Sequence, residues 1–207
     1  FYKDIFRLPS FNDLYYGETG NNKLKPENAR QYNIGLTYSK DVCPFLPYLS
    51  ATVDAYYNKI TDKIIAYPTK NLAVWSMRNL GSVEIKGIDV TGNVSLQPCE
   101  KFRINLSGNY TYQQALDVTN PDPASEEGRT YKHQIAYTPR VSGSGQVGIE
   151  TFGVNLSCSF LLSGKRYAVG QNIAANRLDS YSDHSISASR DFRIKKVTTS
   201  LSVEILN

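Results

Sequence analysis

The stretch FRINLSGNYTYQ, Phe102–Gln113, alternates at every position. Phe102, Ile104, Leu106, Gly108, Tyr110 and Tyr112 form one set. Arg103, Asn105, Ser107, Asn109, Thr111 and Gln113 form the other. Successive side chains of a strand point to opposite faces, so this segment predicts a strand with one apolar and one wet surface. The same period recurs on both sides of it. Upstream it runs through Tyr32, Ile34, Leu36 and Tyr38; through Leu49, Ala51, Val53, Ala55 and Tyr57; and through Ile88, Val90, Gly92, Val94 and Leu96. Downstream come Gly145, Val147 and Ile149, then Val154, Leu156, Cys158, Phe160 and Leu162, then Ile186 and Ala188 among serines, then Val197, Thr199, Leu201, Val203 and Ile205. Together these make about eight strands, many with the ~9–11 residues that a tilted membrane-spanning strand needs. No segment has a helical period.

The connections alternate in length. Short links fall at residues 41–47, 97–101, 152–153 and 193–196, and long ones at 61–80, 115–130 and 163–177. An antiparallel meander whose two ends meet different surroundings has this form, as in outer-membrane barrels with short periplasmic turns and longer outer loops. Soluble sandwiches mix crossovers and hairpins instead. Eight of the nine prolines fall in the expected connections, and Pro139 alone falls in an expected strand over residues 131–150, predicting a bulge or irregular end there. Tyr32, Tyr38, Tyr48, Tyr57, Tyr110 and Tyr112 lie near strand ends. Amphipathic rings at a lipid–water boundary explain that placement, and so would the ordinary preference of Tyr for strands.

Composition fits this reading and narrows the alternatives. The 207 residues carry 23 Lys+Arg against 19 Asp+Glu, a net charge of +4, with 41% hydrophobic residues and 15 Tyr. Such a chain is not disordered, and without a basic stripe it has no nucleic-acid partner. No apolar run approaches the ~18 residues of a transmembrane helix, which leaves a β-barrel open. The chain begins without Met and stops in mid-pattern at Asn207, so it reads as part of a longer protein.

Little in the sequence points to covalent chemistry. Gly143, Gly145 and Gly148 fit G-x-G-x-x-G, but within an alternating strand that leads to another strand, with no helix to face a phosphate. Asn93-Val-Ser95, Asn105-Leu-Ser107, Asn109-Tyr-Thr111 and Asn155-Leu-Ser157 match the glycosylation sequon. Residues two apart share a strand face, so a polar lumen produces that pattern by itself. His133 and His184 lack metal spacing, His184 beside Asp183 reads as exposed or lumen-facing, and no nucleophile elbow is present. No cofactor or metal site is expected, and no enzyme. Cys43 and Cys99 fall in two short turns on the same expected rim of an oxidising compartment. Neighbouring hairpin turns lie ~10 Å apart and a disulfide needs Cα atoms within ~7 Å, so a Cys43–Cys99 bridge requires the turns to lean together. Cys158 sits in an apolar set as a small lipid-facing residue.

Several segments then become specific. Arg7-Leu-Pro-Ser-Phe-Asn-Asp-Leu-Tyr15 and Gly20-Asn-Asn-Lys-Leu-Lys-Pro-Glu27 resemble the R-x-P-[ST]-x-x-[DE]-L-[YF] and G-N-x-x-L-K-P-E segments of TonB-dependent outer-membrane receptors. Tyr56-Tyr-Asn-Lys-Ile-Thr-Asp-Lys-Ile64 resembles that family's F-Y-N-x-I-x-D-x-I. Asn79-Leu-Gly-Ser-Val-Glu-Ile-Lys-Gly-Ile-Asp89 resembles its N-x-G-x-x-x-x-x-G-[VI]-[ED], and Leu201–Asn207 its approach to N-L-F-D. The resemblance covers essentially the whole chain, in order. Its style is that of vitamin B12 and siderophore receptors, Bacteroidetes-like ones in particular.

The resemblance implies an all-β fold: an antiparallel transmembrane β-barrel segment, about eight strands of a barrel of about 22. Residues 1–207 would be the C-terminal part of that barrel, with the plug domain, its TonB box and the final strand lying outside it. It further implies a Gram-negative outer-membrane location and energised uptake of a scarce bulky nutrient, a siderophore or cobalamin-like ligand. The implied partners are TonB with ExbB and ExbD, acting through the plug, and the lipid and lipopolysaccharide around the barrel. Ligand contacts would come from the long loops: Tyr67, Lys70, Trp75 and Arg78 in one, with Arg129, Tyr131, His133, Arg166, Tyr167 and Arg177 in or beside the others. Aromatic and Arg side chains anchor large anionic chelates, although the same groups also solvate loops or meet lipopolysaccharide phosphates. Trp75 is the foremost single candidate. Two other readings stand beside this one: a small structural or adhesive barrel without transport, and a soluble β-sandwich.

Overall fold

The computed structural model describes residues 1–68, 75–120, 127–194 and 197–206. Nine strands form one antiparallel sheet: β1 (Tyr2–Arg7), β2 (Glu27–Lys40), β3 (Tyr48–Pro68), β4 (Trp75–Cys99), β5 (Phe102–Asp117), β6 (Val141–Thr151), β7 (Val154–Ser163), β10 (Tyr181–Ile194) and β11 (Val197–Leu206). Each pairs with the next in chain order, except that β8 (Arg166–Tyr167) and β9 (Arg177–Leu178) make a separate small hairpin between β7 and β10. A five-residue helix, α1 (Phe11–Tyr15), lies between β1 and β2. Among the described residues β1 and β11 end the sheet and do not pair with each other.

Pairing register fixes which residues share a face, since direct partners point the same way. Ile34 opposes Ala55, Ala55 opposes Ile88, and Ile88 opposes Tyr112. Further round, Ile149 opposes Leu156, Leu156 opposes Ala188, and Ala188 opposes Val203. The apolar sets read from the sequence thus join into one continuous belt. No second layer covers it among the described residues: Ile34 is 76% and Leu36 75% exposed, and only Ala29, Ile60, Ile64, Val83 and Ala115 are buried hydrophobics. An apolar surface of that extent belongs in lipid, which rules out a soluble sandwich.

The opposite face is bound by polar side chains reaching between strands. Thr37 and Thr52 hydroxyls lie 3.1 Å apart, Asn93 donates to Ser50 at 3.2 Å, and Ser95 donates to Asn105 at 2.9 Å. Asn105 donates to Glu150 at 3.1 Å and Asn109 to Ser144 at 2.9 Å. Ser157 pairs with Ser187 at 2.8 Å, and Ser159 with Ser185 at 2.6 Å. Of the sequon-like residues, Asn93, Ser95, Asn105, Asn109 and Ser157 are members of this ladder. Gly145 gives room to Phe160, whose ring would meet any added Cβ at 2.6 Å, so the G-x-G-x-x-G match has a packing role.

The structure corrects several expectations. Tyr2–Arg7 is a further strand, missed because its six residues carry apolar side chains on both sets of positions. β6 starts at Val141, so Pro139 lies in the preceding loop, where no ladder bond is asked of it. Pro98 does lie in a strand, but at the register shift between Leu96 and Cys99. His184 is exposed, one of the two expectations for it, and its pairing with Phe160 on the face of Ile186 sets it outward and not in the lumen. The connection expected over residues 61–80 is mostly strand: β3 and β4 are 21 and 25 residues long. That exceeds the ~9–11 residues a membrane crossing needs, so the hairpin projects beyond the lipid.

Candidate functional site

The long connections leave one end of the sheet and the short turns the other. At the long-loop rim, the chain that returns after β5 pairs along the edge of that strand's outer end, with an antiparallel bridge between Leu116 and Gln134. Asp117 N–H donates to the His133 carbonyl at 2.9 Å, Lys132 N–H to the Asp117 carbonyl at 2.7 Å, and Ile135 N–H to the Ala115 carbonyl at 2.9 Å. Ile135 and Ile85 pack on the buried cluster of Ala29, Ile60 and Val83. The returning chain is held by the carboxylate of Asp117, which is 3% exposed. It accepts from Thr119 N–H at 2.9 Å, Thr119 Oγ1 at 2.5 Å and Thr130 Oγ1 at 2.6 Å. A buried carboxylate is tolerated because these donors replace water.

A second loop docks on the first. Asn172 donates through Nδ2 to the Gln134 carbonyl at 3.0 Å, accepts Gln134 N–H at 2.5 Å, and donates its own N–H to His133 Nδ1 at 3.3 Å. Tyr137 N–H donates to the Tyr167 carbonyl at 2.8 Å. In the small hairpin Arg166 opposes Leu178 and Tyr167 opposes Arg177. The Arg166 guanidinium lies 4.9 Å from the Tyr181 ring centroid and donates to the Asp179 carbonyl at 3.3 Å, while Arg177 pairs with the Asp179 carboxylate at 3.4 Å. Tyr131 is half-buried with the Lys132 ammonium 5.5 Å from its ring, and Arg129 is exposed in a turn just before it. The docking bonds at His133 and at the Tyr167 carbonyl thus bring the segments that carry Tyr131, His133, Arg166, Tyr167 and Arg177 to the same rim.

Tyr67, Trp75 and Arg78 belong to the strands of the projecting hairpin and not to a loop. Trp75 opens β4 opposite Pro68 and is 39% exposed; Arg78 opposes Ile65 and is exposed; Tyr67 opposes Ser76. Lys70 lies outside the described residues. Asp117, Gln134 and Asn172 were missed by the sequence reading. Asp117-Val118-Thr119 does carry a local signal, an Asp side chain accepting the amide two residues on, as in an Asx turn.

The segments that carried the family resemblance act as latches. Ser10 caps α1: its hydroxyl accepts Asp13 N–H at 3.2 Å, while its own N–H donates to Asp13 Oδ2 at 2.9 Å. The Ser10 amide holds the Asp13 carboxyl below its ordinary range against the opposing effect of burial, with lesser help from the Ser10 hydroxyl and Arg7. Gly20 sits where an added Cβ would meet the Tyr16 amide nitrogen at 2.6 Å. Asn21 then donates to the Met77 carbonyl at 2.9 Å. Asn79 accepts Lys25 N–H at 2.9 Å and donates to the Lys25 and Asp62 carbonyls at 3.0 and 2.6 Å, and Glu27 accepts Ile64 N–H at 3.1 Å. These bonds tie the β1–β2 connection to the β3–β4 hairpin. At Gly87, Tyr56 covers the bare backbone, its hydroxyl 2.6 Å from where a Cβ would stand.

At the short-turn rim Cys43, Cys99 and also Cys158 on its strand are free and exposed. Cys43 closes a tight turn on Leu46, whose N–H donates to the Cys43 carbonyl at 2.9 Å. That places Cys43 on the β2 side of β3, with Cys99 across it on β4. Among the described residues no group of three or more His, Cys, Asp or Glu could hold a metal ion.

Comparison with known proteins agrees with this geometry. The family model for the TonB dependent receptor-like β-barrel matches residues 2–207. The vitamin B12 transporter BtuB of Vibrio vulnificus is 34% identical over 85 residues, 41% of this chain and 13% of the transporter. BtuB of Photobacterium profundum is 33% identical over 90 residues, 42% and 14% of the two chains. The chain thus spans only about one-eighth of these relatives in the aligned part. Among solved structures, the copper transporter OprC matches 98% of this chain and 30% of its own at a TM-score of 0.69 and 13% identity. BauA, the ferric preacinetobactin receptor of Acinetobacter baumannii, matches 88% and 25% at a TM-score of 0.63 and 18% identity. The chain belongs to the TonB-dependent receptors, transporters of the Gram-negative outer membrane and not enzymes, and forms part of their barrel wall.

Proposed function

We propose that this chain serves energised uptake of a bulky nutrient, a siderophore or cobalamin-like ligand, as part of an intact receptor. The family match over residues 2–207 carries the proposal, and the BtuB similarity favours cobalamin within it. In this reading the polar face lines the lumen, and the docked loops with Trp75 and Arg78 receive ligand at the outer rim. Planar guanidinium and aromatic groups suit a large polar ligand, because they contribute contact area and charge with few torsions to freeze. TonB, with ExbB and ExbD, would act on a plug domain supplied by the rest of the protein. The Bacteroidetes-like character stays an expectation of the sequence, since the curated relatives come from Vibrio and Photobacterium.

The test is uptake of labelled cobalamin and of ferric siderophores by cells whose only such receptor is the intact protein. Uptake that stops when TonB is deleted supports the reading. Uptake unaffected by that deletion would sink it. A self-contained structural barrel is the weaker alternative, because residues 2–207 match the receptor barrel family.

A further inference from the structure

The contact between the two docked loops includes one titratable ring. His133, half-buried between β5 and β6, presents Nδ1 to the Asn172 backbone N–H at 3.3 Å. An amide N–H donates, so Nδ1 accepts through its lone pair and the ring proton sits on Nε2. The Asn172 side chain grips the residue next to the ring. Its Oδ1 accepts the Gln134 N–H and its Nδ2 donates to the Gln134 carbonyl at 3.0 Å. Gln134 is 4% exposed, so little water replaces these bonds while the loops stay together.

The backbone on either side of this contact lies in the left-handed region. Lys132 has a φ of 60° and Tyr137 of 56°, where a side chain crowds its own backbone. Both are fixed by bonds. Lys132 N–H donates to the Asp117 carbonyl at 2.7 Å, and Tyr137 N–H to the Tyr167 carbonyl at 2.8 Å, a further link between the loops. A segment kept in a sparse conformation by its partners relaxes once they withdraw, so the docked state is poised.

An imidazole takes up its second proton in mildly acidic water. Imidazolium has no lone pair at Nδ1, and its N–H would face the Asn172 N–H, donor against donor. The surrounding charges are engaged elsewhere. Asp117 at the end of β5 accepts from Thr119 and Thr130, and Lys132 lies over Tyr131. On the docked loop Arg166 lies over Tyr181 and Arg177 pairs with Asp179, while Arg129, Arg140 and Lys165 are exposed. β2, β3 and β4 meet the first loop through the apolar Ala29, Ile60, Val83 and Ile85. Among the described residues no acid is ion-paired with the ring to keep it docked when charged.

We infer that protonation of His133 undocks the β7–β10 loop from the β5–β6 loop, so that the two part in mild acid and dock near neutrality. The docked form excludes the second proton, so docking is complete at higher pH and weakens as pH falls. Outer loops meet the external medium, which supplies that proton. The device is independent of which ligand is carried.

The experiment is hydrogen exchange of the intact receptor in lipid nanodiscs at about pH 7.5 and about pH 5.5, corrected for intrinsic exchange. Protection across residues 133–137 and 170–173 should fall about tenfold at the lower pH, with β5 and β6 unchanged. His133→Asn places an oxygen acceptor near the position of Nδ1 without a titrating ring, and should stay protected at both. His133→Phe should be poorly protected at both. Protection independent of pH in the parent, or a pH dependence that survives in His133→Asn, would overturn the inference.

Discussion

Val90 and Thr91 are consecutive residues of β4 and meet different solvents. Val90 opposes Val53 and Tyr110 in the apolar belt, while Thr91 opposes Thr52 and Asn109 in the polar ladder. The outward face holds its place through lipid, without specific partners, so any apolar side chain of suitable size serves there. The inward face is held by side-chain hydrogen bonds from strand to strand, and small Ser, Thr and Asn dominate because they bridge one strand spacing. The same backbone ladder thus carries two unlike rules of substitution.

The sharpest way to break that contrast is a charge on each face. Val90→Arg in the intact receptor should cost about 2–4 kcal/mol in membrane folding equilibria, and Thr91→Arg close to none. Equal costs would mean the faces are not distinguished by lipid. A smaller effect is expected at the rim. Asp117→Ala removes the acceptor for one amide and two hydroxyls, loosening the β5–β6 loop by about 1–3 kcal/mol. Hydrogen exchange should speed up across residues 118–120 and 127–140, and stay unchanged in the strands below. Exchange that rises in β5 as well would show that the carboxylate supports the wall and not the loop alone.

Trp75→Ala should lower ligand uptake several-fold without changing the amount of folded receptor, if the projecting hairpin receives ligand. Unchanged uptake would remove Trp75 from the site and leave the docked loops as the receiving layer. The smallest effect concerns acid. Because Asp13 titrates below its ordinary range, its contribution to the α1 cap is complete above the unfolded carboxyl value. It is lost as pH falls through the lower folded one. Fraying of residues 10–16 should therefore set in only in strong acid, read by proteolysis, and Asp13→Asn should abolish that dependence.

The two regions also differ in how far the sequence exposes them. Alternation from Phe102 to Gln113 is a local property, so the faces, the belt and the lumen ladder were readable before any pairing was known. The length of the β3–β4 hairpin was not. Residues 61–68 and 75–80 lie above the lipid, where neither face must be apolar and the period-two signal fades. The rim site was legible only as a list of residue types. Its assembly depends on Asp117, Gln134 and Asn172, polar groups whose partners lie in the returning or neighbouring loop, and no local pattern encodes such pairings. The L-K-P-E and R-x-P-S segments identified a family correctly for a reason unrelated to ligand: they fasten the first connection to the hairpin.

The central claim is that one face of this sheet meets lipid and the other water. Single nitroxide labels at residues 104–112 of the intact receptor in bilayers test it most directly, by collision with oxygen and with a water-soluble nickel chelate. Oxygen accessibility should peak at positions 104, 106, 110 and 112, and nickel accessibility at 105, 107, 109 and 111. Uniform access of the nickel reagent to all of them, or peaks of the opposite phase, would contradict the account.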